Sequence, residues 1–339
     1  MKRGEFLRNS LLAGGTLMAG SILPGEASAA VGSTAIGSGA VNGASVGSGA
    51  VNNAALDGAA ANSASAQKGK TFNLDYAPHE GMFSNSAGKN FLDQIQFMYD
   101  QGFRSIEDNG YLGRSTEEQT KIGNLLAKLG MRMGVFVVDG GDNWKTSLTT
   151  GKKEFKDKFV DTCKRSVEAA KRCNAKWLTV VPGFYDRRLP YGIQMANVVD
   201  AMRAGAEIFE PAGLIMVLET LSDTPELFLQ QTHETYNVCK AVNSPSCKIL
   251  YDIYHMQKTE GNLIVNMDRC WDEIAYIQIG DNPGRKEPTT GEIHYKNLFK
   301  HIHGKGYKGV MGMEHGNSRP EAAGEQRVIQ AYREVDQFM

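Results

Sequence analysis

The sequence lacks an excess of charge of either sign. It carries 37 lysine and arginine residues against 38 aspartate and glutamate residues, so the net charge at pH 7 is −1. A protein that binds nucleic acid through its phosphates needs a basic surface, and no nucleic-acid partner is therefore expected. Hydrophobic residues make up 41% of the chain. That fraction is typical of a soluble enzyme with one large domain or two smaller ones.

Cysteine is scarce, and its spacing is not that of a disulfide or zinc framework. The five cysteines include no C-x-x-C pair. Cys163 and Cys173 fall on one predicted helix about 15 Å apart, which is too far for a disulfide. Buried free thiols are therefore expected.

The sequence also lacks an apolar run long enough for a stable membrane span. Residues 1–29 instead combine a basic start, a short apolar stretch at 11–23 and an A-x-A cleavage pattern at 27–29. This organisation predicts a bacterial signal peptide and export to the periplasm. The segment RGEFLR at 3–8 resembles the twin-arginine motif with Gly4 in place of the second arginine. Both the twin-arginine route and the general secretory route therefore stay open.

Residues 30–68 are almost without bulky side chains. The segment is rich in Gly, Ala, Ser and Asn and contains a loose repeat, IGSGAVN followed by VGSGAVN. Such a composition buries too little apolar surface to offset the entropy lost on ordering. It predicts a low-complexity flexible linker ahead of a domain at residues 70–339. A β-structured repeat is the alternative, because Val and Ile recur in it.

From Thr71 onward, short β-rich runs alternate with longer segments of helical spacing. Eight strands are predicted, beginning at Thr71, Arg104, Met131, Ala175, Leu214, Cys247, Ile274 and Gly309. Eight strand–helix units in about 270 residues predict an α/β fold, a single-domain (β/α)8 TIM barrel. A dinucleotide-binding open sheet would carry G-x-G-x-x-G after its first strand, and this pattern is missing.

Polar residues stand at the carboxyl ends of the predicted strands, where TIM barrels carry their active sites. The last four strands each deliver one oxygen donor: Glu219, Asp252, Gln278 and Glu314. Three carboxylates and an amide are hard ligands that suit Mg²⁺ or Mn²⁺. Each residue alone is explained equally well as an ion pair or a satisfied core amide. One donor on each of four successive strands predicts a divalent-metal site.

The same strands carry a resemblance to a known family. LET in strand 5, D-x-x-H in strand 6, MEHG in strand 8 and the strand-7 loop PGRKEPTTGEIHY resemble the xylose-isomerase-like TIM-barrel superfamily. The loop, which is the most specific motif, is most similar to that of hydroxypyruvate isomerases. The resemblance covers residues 72–339.

The resemblance implies a metal-dependent isomerase that interconverts aldose and ketose forms by proton transfer through an enediolate. It places Glu219, Asp252, Gln278 and Glu314 at metal-ligand positions and makes Glu219 and Glu314 the catalytic proton carriers. It places His255 and Arg285 at positions that bind substrate oxygens, with a core histidine and a loop salt bridge as the structural alternatives. Glu107, at the end of the second predicted strand, is a further candidate for substrate binding, with a structural role equally open.

The sequence also bears on three alternative functions. Ketose 3-epimerases of the superfamily usually have His at the position of Gln278 and a further Glu soon after the strand-5 glutamate. Here the segment reads SDTPE, which favours the hydroxypyruvate isomerase branch and leaves the epimerase as the alternative. A non-catalytic exported sugar-binding barrel is a further alternative, and the full set of four predicted metal ligands argues against it. An apurinic-site endonuclease would need about three zinc ions with many histidine ligands. The chain has only seven histidines and no excess of basic residues, so this function is disfavoured. The expected partner is a small carbonyl sugar or hydroxy-keto acid, while substrate identity and a homo-oligomeric state stay open.

Overall fold

The structure is a computed structural model that describes residues 69–139 and 148–339. The predicted signal peptide (1–29) and linker (30–68) lie outside the described residues. The strands in chain order are β1 (Asp75–Ala77), β2 (Ser105–Ile106), β3 (Arg132–Met133), β4 (Val135–Val137), β5 (Trp177–Val180), β6 (Ile215–Glu219), β7 (Cys247–Asp252), β8 (Ile274–Gln278) and β9 (Val310–Gly312). The α-helices are α1 (Ser84–Ala87), α2 (Phe91–Asp100), α3 (Thr116–Leu129), α4 (Lys153–Cys173), α5 (Tyr191–Phe209), α6 (Thr232–Val242), α7 (Ile253–Thr259), α8 (Leu263–Arg269), α9 (Tyr295–Gly304) and α10 (Glu321–Val335).

The strands form the predicted barrel, with every ladder parallel. Seven strands pair in the order β1-β9-β8-β7-β6-β5-β4, and β2 pairs with β3. The third predicted strand is divided into β3 and β4 at Gly134, where an added Cβ would overlap the Tyr276 hydroxyl. A parallel bridge between His79 and Glu107 joins the first barrel strand to the second. The prediction of a (β/α)8 TIM barrel is therefore confirmed.

The sixth predicted strand is shorter than expected, and a loop precedes α6. The sixth predicted strand stops at Asp252, because its carboxylate accepts hydrogen bonds from the backbone N–H groups of Tyr254 and His255 and so starts α7. An aspartate in this N-cap position satisfies N–H groups that have no partner within the helix. The segment 224–231, which follows β6, is a loop, and α6 begins at Thr232.

The barrel interior is built in layers, because residues two apart on a strand face the same side. One apolar layer takes a residue from each of seven strands: Ala77, Val135, Trp177, Val217, Leu250, Tyr276 and Val310. Glu219, Asp252, Gln278 and Gly312 lie two residues further along their strands. The layer nearest the carboxyl ends is therefore polar, and it rests directly on apolar side chains.

The remaining expectations concern cysteines and membranes. All five cysteines are buried and free, as predicted. Within the part of the chain that the structure describes, no helix has the length and apolar character needed to cross a membrane.

Candidate active site

Four buried side chains converge at the carboxyl ends of the barrel strands. Glu219, Asp252, His255 and Glu314 each offer a ligand atom, and these atoms all lie within 4.8 Å of one another. Gln278 is the register partner of Asp252 on the neighbouring strand. The structure thus brings together the four residues predicted as metal ligands, with His255 beside them.

The same residues carry buried polar atoms without a hydrogen-bond partner among the described residues. These atoms are Glu219 Oε1, Asp252 Oδ2, His255 Nε2 and Gln278 Oε1, and Asn109 Oδ1 is a further one. Leaving a buried donor or acceptor unpaired costs about 1–3 kcal/mol. Concentrating several such atoms at one point is explained if a group outside the protein chain pairs with them. Three carboxylates and an amide oxygen fit a hard divalent cation.

His255 presents a hydrogen-bond donor to this cluster. Its Nδ1 accepts the backbone N–H of Ser222 (3.2 Å) and lies 2.7 Å from the Ser222 hydroxyl. Burial, with Arg285 and Lys258 adding to it, lowers the pKa of His255 well below its usual value. The ring is therefore neutral and its proton lies on Nε2. With its proton on Nε2, His255 can donate to a substrate oxygen, whereas the other neutral tautomer would leave Nε2 able to bind a metal.

Arg285 is the cation of the site. Its guanidinium lies 2.8 Å from Glu314 Oε2 and 3.5 Å from Asp252 Oδ2, and it stacks over the Tyr254 ring at 5.0 Å. Burial opposes its charge, but the neighbouring carboxylates outweigh burial and raise the pKa of Arg285. Asp223 lies 3.8 Å from the same guanidinium and 3.9 Å from His255 Nε2.

Burial, together with the crowding of carboxylates, raises the pKa of two acidic side chains of the site. Burial, with the charges of Glu314 and Asp252 added, raises the pKa of Glu219 well above its usual value. Burial also raises the pKa of Asp252 to about 7, with Arg285 opposing the shift and Glu314 adding to it. A cation at this point would offset both effects by favouring the charged forms.

The strand-7 loop of the sequence motif, which follows β8, holds Arg285 in place. The Asp281 carboxylate accepts backbone N–H groups of Thr290, Gly291 and Ile293 at 2.8–3.1 Å. The Asp281 carbonyl accepts the N–H of Arg285 at 2.7 Å. Arg285 itself has φ 48°, which is a conformation that a bulky residue adopts only where its surroundings enforce it. Most of the motif is therefore a scaffold for one arginine.

Glu107 lies below the cluster. One carboxylate oxygen accepts Gln278 Nε2–H (2.8 Å) and the other accepts the Tyr276 hydroxyl (3.0 Å). Its side chain is 1% exposed. Both oxygens therefore accept hydrogen bonds from barrel side chains. The expected contact of Glu107 with substrate stays a prediction.

Several residues of the site were not found from the sequence. Asn109 donates to Glu314 Oε1 at 3.2 Å. Ser222 and Asp223 follow Glu219 on the same loop, and Tyr254 stacks against Arg285. Their only signal was proximity to a predicted ligand along the chain, which does not determine where a loop side chain lies.

Comparison with known proteins gives a family model and named relatives. Residues 95–335 match the model described as xylose isomerase-like TIM barrel. Hydroxypyruvate isomerase of Escherichia coli K12 is 38% identical over 122 residues, which are 35% of this chain and 47% of that protein. The chain thus spans about half the length of this relative. A 2-oxo-tetronate isomerase of Haemophilus influenzae is 25% identical over 66% of this chain and 87% of that protein.

Solved structures share the fold at low identity. An AP endonuclease, family 2, from Brucella melitensis superposes with a TM-score of 0.65 at 22% identity, covering 74% of this chain and 96% of the other. A D-psicose 3-epimerase of Clostridium cellulolyticum H10, crystallised with D-tagatose, gives 0.61 at 14%, covering 77% and 91%. An IOLI protein with a bound zinc atom gives 0.61 at 14%, covering 77% and 96%.

Proposed function

The chain belongs to the xylose isomerase-like TIM-barrel family, and from that membership we propose that it is a metal-dependent isomerase of hydroxy-carbonyl compounds, similar in activity to hydroxypyruvate isomerase. Relatives named as isomerases support an isomerase. The observation that carries the proposal is the group of buried atoms on Glu219, Asp252, His255 and Gln278 that have no hydrogen-bond partner among the described residues. A fold-stabilising role would leave those atoms paired with one another.

Glu219, Asp252, Gln278 and Glu314 would hold the metal, and hard oxygen donors favour Mg²⁺ or Mn²⁺. Such an ion supplies charge stabilisation for the oxygens of a carbonyl and a neighbouring hydroxyl as negative charge develops on them.

The proton transfer falls to two glutamates. Glu219 and Glu314 come from β6 and from just after β9, so they flank Asp252 and Gln278 in the strand order. One carboxylate removes the proton from the carbon that bears the hydroxyl, and an enediolate results. The other delivers a proton to the former carbonyl carbon, and the hydroxyl proton passes to the former carbonyl oxygen. The net change is the movement of a carbonyl by one carbon.

His255 and Arg285 would orient the substrate. The Nε2–H of His255 points into the cluster and can donate to a substrate oxygen. Arg285 lies against both Glu314 and Asp252, so it can hold a further substrate oxygen beside the proton carriers.

A second candidate function is the conversion of uncharged sugars, as in the ketose 3-epimerase alternative, and Asp223 favours it. A divalent ion and Arg285 together match the three carboxylates of Glu219, Asp252 and Glu314. The charge of Asp223, 3.8 Å from Arg285, is then in excess. An excess negative charge disfavours a substrate carboxylate and accepts hydrogen bonds from hydroxyls.

A matched pair of substrates tests both candidates. Hydroxypyruvate and dihydroxyacetone differ only in a carboxylate against a hydroxymethyl group. We expect the purified protein with Mn²⁺ to isomerise at least one of them, measured by exchange of the carbon-bound proton with deuterium from solvent. Preference for hydroxypyruvate supports the first candidate, and preference for dihydroxyacetone supports the second. Failure to exchange protons in these and in larger ketoses would end the isomerase proposal.

Variants locate the source of the preference. Asp223→Asn should raise kcat/KM for the anionic substrate relative to the neutral one by about tenfold, which corresponds to about 1.4 kcal/mol. Glu226→Gln removes the same charge from the same loop, but its carboxylate contacts Thr224 and not the cluster. It should leave the preference unchanged.

Export to the periplasm is also proposed, from the composition of residues 1–29. Fractionation of cells that express the full chain should recover the protein in the periplasmic fraction, shortened at the A-x-A pattern. Recovery of the uncleaved chain in the cytoplasm would contradict it.

A further inference from the structure

We propose that Glu107 is a positioning residue that fixes the orientation of the Gln278 amide, so that the amide oxygen and not the nitrogen faces the metal ligands. The proposal rests on the proposed function for the presence of a divalent ion. It assigns to Glu107 a task different from substrate contact.

The amide of a glutamine side chain has two nearly isosteric orientations. One presents the carbonyl oxygen, which can bind a cation, and the other presents the NH2 group, which cannot. A barrel position that faces a metal therefore needs a partner that selects between them. Carboxylate ligands such as Glu219 and Asp252 have no such requirement, since both of their oxygens can bind.

Glu107 makes this selection through hydrogen bonding. Its Oε1 lies 2.8 Å from Gln278 Nε2, and Gln278 Oε1 is left buried and without a partner among the described residues. A carboxylate accepts hydrogen bonds and does not donate them. If Glu107 were protonated on Oε2, the Tyr276 hydroxyl 3.0 Å away could rotate to accept, and Oε1 would still accept from the amide. A proton on Oε1 would instead be donated to the amide oxygen. The selection therefore requires Oε1 to be an acceptor, which a glutamine at position 107, able to present either its oxygen or its NH2 group, no longer guarantees.

The barrel leaves space for this contact at two glycines. A Cβ added at Gly312 would overlap Glu107 Oε2, and one added at Gly134 would overlap the Tyr276 hydroxyl. Gly312 is the register partner of Gln278 and has no positive φ. Its lack of a side chain thus serves space and not backbone conformation. One glycine on β9 and one between β3 and β4 thus leave room for Glu107 and for the Tyr276 hydroxyl that it binds.

A double-mutant cycle separates amide orientation from a general effect of charge. The affinity for Mn²⁺ is measured by calorimetry in the wild type, Glu107→Gln, Gln278→Glu and the double variant. We expect Glu107→Gln to weaken Mn²⁺ binding about 10–100-fold, as removal of a partner that orients a ligand does. In the Gln278→Glu background no amide needs orienting, so the same substitution should not weaken binding.

Equal weakening in both backgrounds would show that Glu107 contributes only charge or scaffold, and would overturn the proposal. Unchanged Mn²⁺ affinity in Glu107→Gln would also overturn it while leaving the isomerase proposal intact. A wild type that binds no Mn²⁺ would overturn both. Tyr276→Phe is the control, because it removes the other hydrogen bond of Glu107 but keeps the amide contact. It should retain the wild-type affinity.

A second variant covers the case in which Glu107→Gln fails to fold. In Gly312→Ala the added Cβ would overlap Glu107 Oε2 and would also lie 3.0 Å from Gln278 Cγ, so this variant disturbs the Glu107–Gln278 contact without changing the charge. We expect it to weaken Mn²⁺ binding at least tenfold. Wild-type affinity in a folded Gly312→Ala protein would overturn the proposal.

Discussion

Glu219 and Glu314 are chemically alike but differ in their surroundings. Both oxygens of Glu314 receive hydrogen bonds, one from Asn109 and one from Arg285. Oε1 of Glu219 has no partner among the described residues. Glu314 is therefore held by the protein, whereas Glu219 depends on whatever group fills the site.

The first prediction separates proton carriers from pure ligands. Glu314→Gln keeps an oxygen that can bind metal but cannot accept a proton from carbon. We expect turnover to fall about 10²–10⁴-fold at saturating Mn²⁺, and Glu219→Gln to behave alike. Asp252→Ala removes a ligand and no proton carrier, so added Mn²⁺ should restore part of its turnover. Steady-state kinetics against Mn²⁺ concentration, with melting temperatures alongside, make the comparison. Near wild-type turnover in Glu314→Gln would exclude the two-glutamate mechanism.

A site residue could be predicted from the sequence where a polar side chain stands at the end of an otherwise apolar strand. Gln278 and Asp252 are polar at the ends of apolar strands, and that contrast is visible in the sequence. Asp223 lies in the segment SDTPE, which was considered only for the glutamate that epimerases carry there, so a contact of its own carboxylate with the site was not predicted. The contact of Glu107 with Gln278 joins β2 to β8 across the barrel interior. It depends on the layer and register of both strands, which the sequence does not specify.

At the scale of elements, the loop after β8 shows how a set of hydrogen bonds to the backbone positions one side chain, Arg285. The Asp281 carboxylate gathers three backbone N–H groups of this loop, and the Tyr295 hydroxyl donates to the Gly280 carbonyl at 2.7 Å. The loop motif was predicted to be functional. In the structure, most of the motif supports the backbone of the loop, and the functional role of Arg285 stays a prediction.

The second prediction concerns this scaffold. Asp281→Asn replaces a charged acceptor by an amide with one acceptor oxygen, so part of the N–H set loses its partner. We expect the protein to lose about 1–3 kcal/mol of unfolding free energy. We also expect lower kcat/KM with unchanged Mn²⁺ affinity, because Arg285 shifts while the metal ligands do not. Denaturant unfolding, kinetics and calorimetry provide the three measurements.

Glu292→Gln is the matched control for that variant, since it removes a charge from an exposed side chain of the same loop. Its unfolding free energy should change by less than about 0.5 kcal/mol. A similar loss in both variants would mean that the loop responds to net charge and not to the Asp281 contacts.

Element boundaries were harder to predict than element types. The run from Cys247 to His255 is apolar and aromatic, and it was predicted as one strand. It is a strand only to Asp252, where the same carboxylate caps α7 and faces the candidate metal site. A side chain that serves a helix cap and a site at once has no separate pattern in sequence. The alternation of strands and helices is set by hydrophobic period over many residues, and it was predicted correctly.

At the scale of the whole molecule, the buried acidic cluster makes stability depend on pH and metal together. In the metal-free protein, burial raises the pKa of Asp252 to about 7 and raises that of Glu219. The unfolded chain releases these protons near pH 4. The folded state therefore binds more protons than the unfolded state between about pH 4 and pH 7, and stability falls as pH rises through that range.

The third prediction follows from this fall in stability with rising pH. With metal removed by chelation, we expect the melting temperature to fall between about pH 4 and pH 7. Mn²⁺ should raise the melting temperature more at the higher pH, because binding requires the charged carboxylates. Asp252→Asn should flatten the decline in the metal-free protein. An identical pH dependence in the variant and the wild type would show that the decline originates elsewhere.

The last prediction concerns where the folded domain begins. Backbone N–H groups of Asn73 and Leu74 donate to the Asp336 carboxylate at 2.8 and 3.3 Å, and the Asn73 amide donates to the Asp336 carbonyl at 2.9 Å. The start of the barrel is thereby joined to the residues that follow α10.

Residues 1–67 are expected to add no core, because their composition offers few bulky side chains. A chain that begins at Lys68 should melt within about 2 °C of the chain that begins at residue 30. A chain that begins at Asp75 loses the Asn73 and Leu74 contacts to Asp336 but keeps the hydrogen bond from the Tyr76 hydroxyl. It should melt at least about 4 °C lower, since each 1 kcal/mol shifts the melting temperature of a large domain by about 2–4 °C. A large drop already in the first truncation would show that residues 30–67 stabilise the barrel.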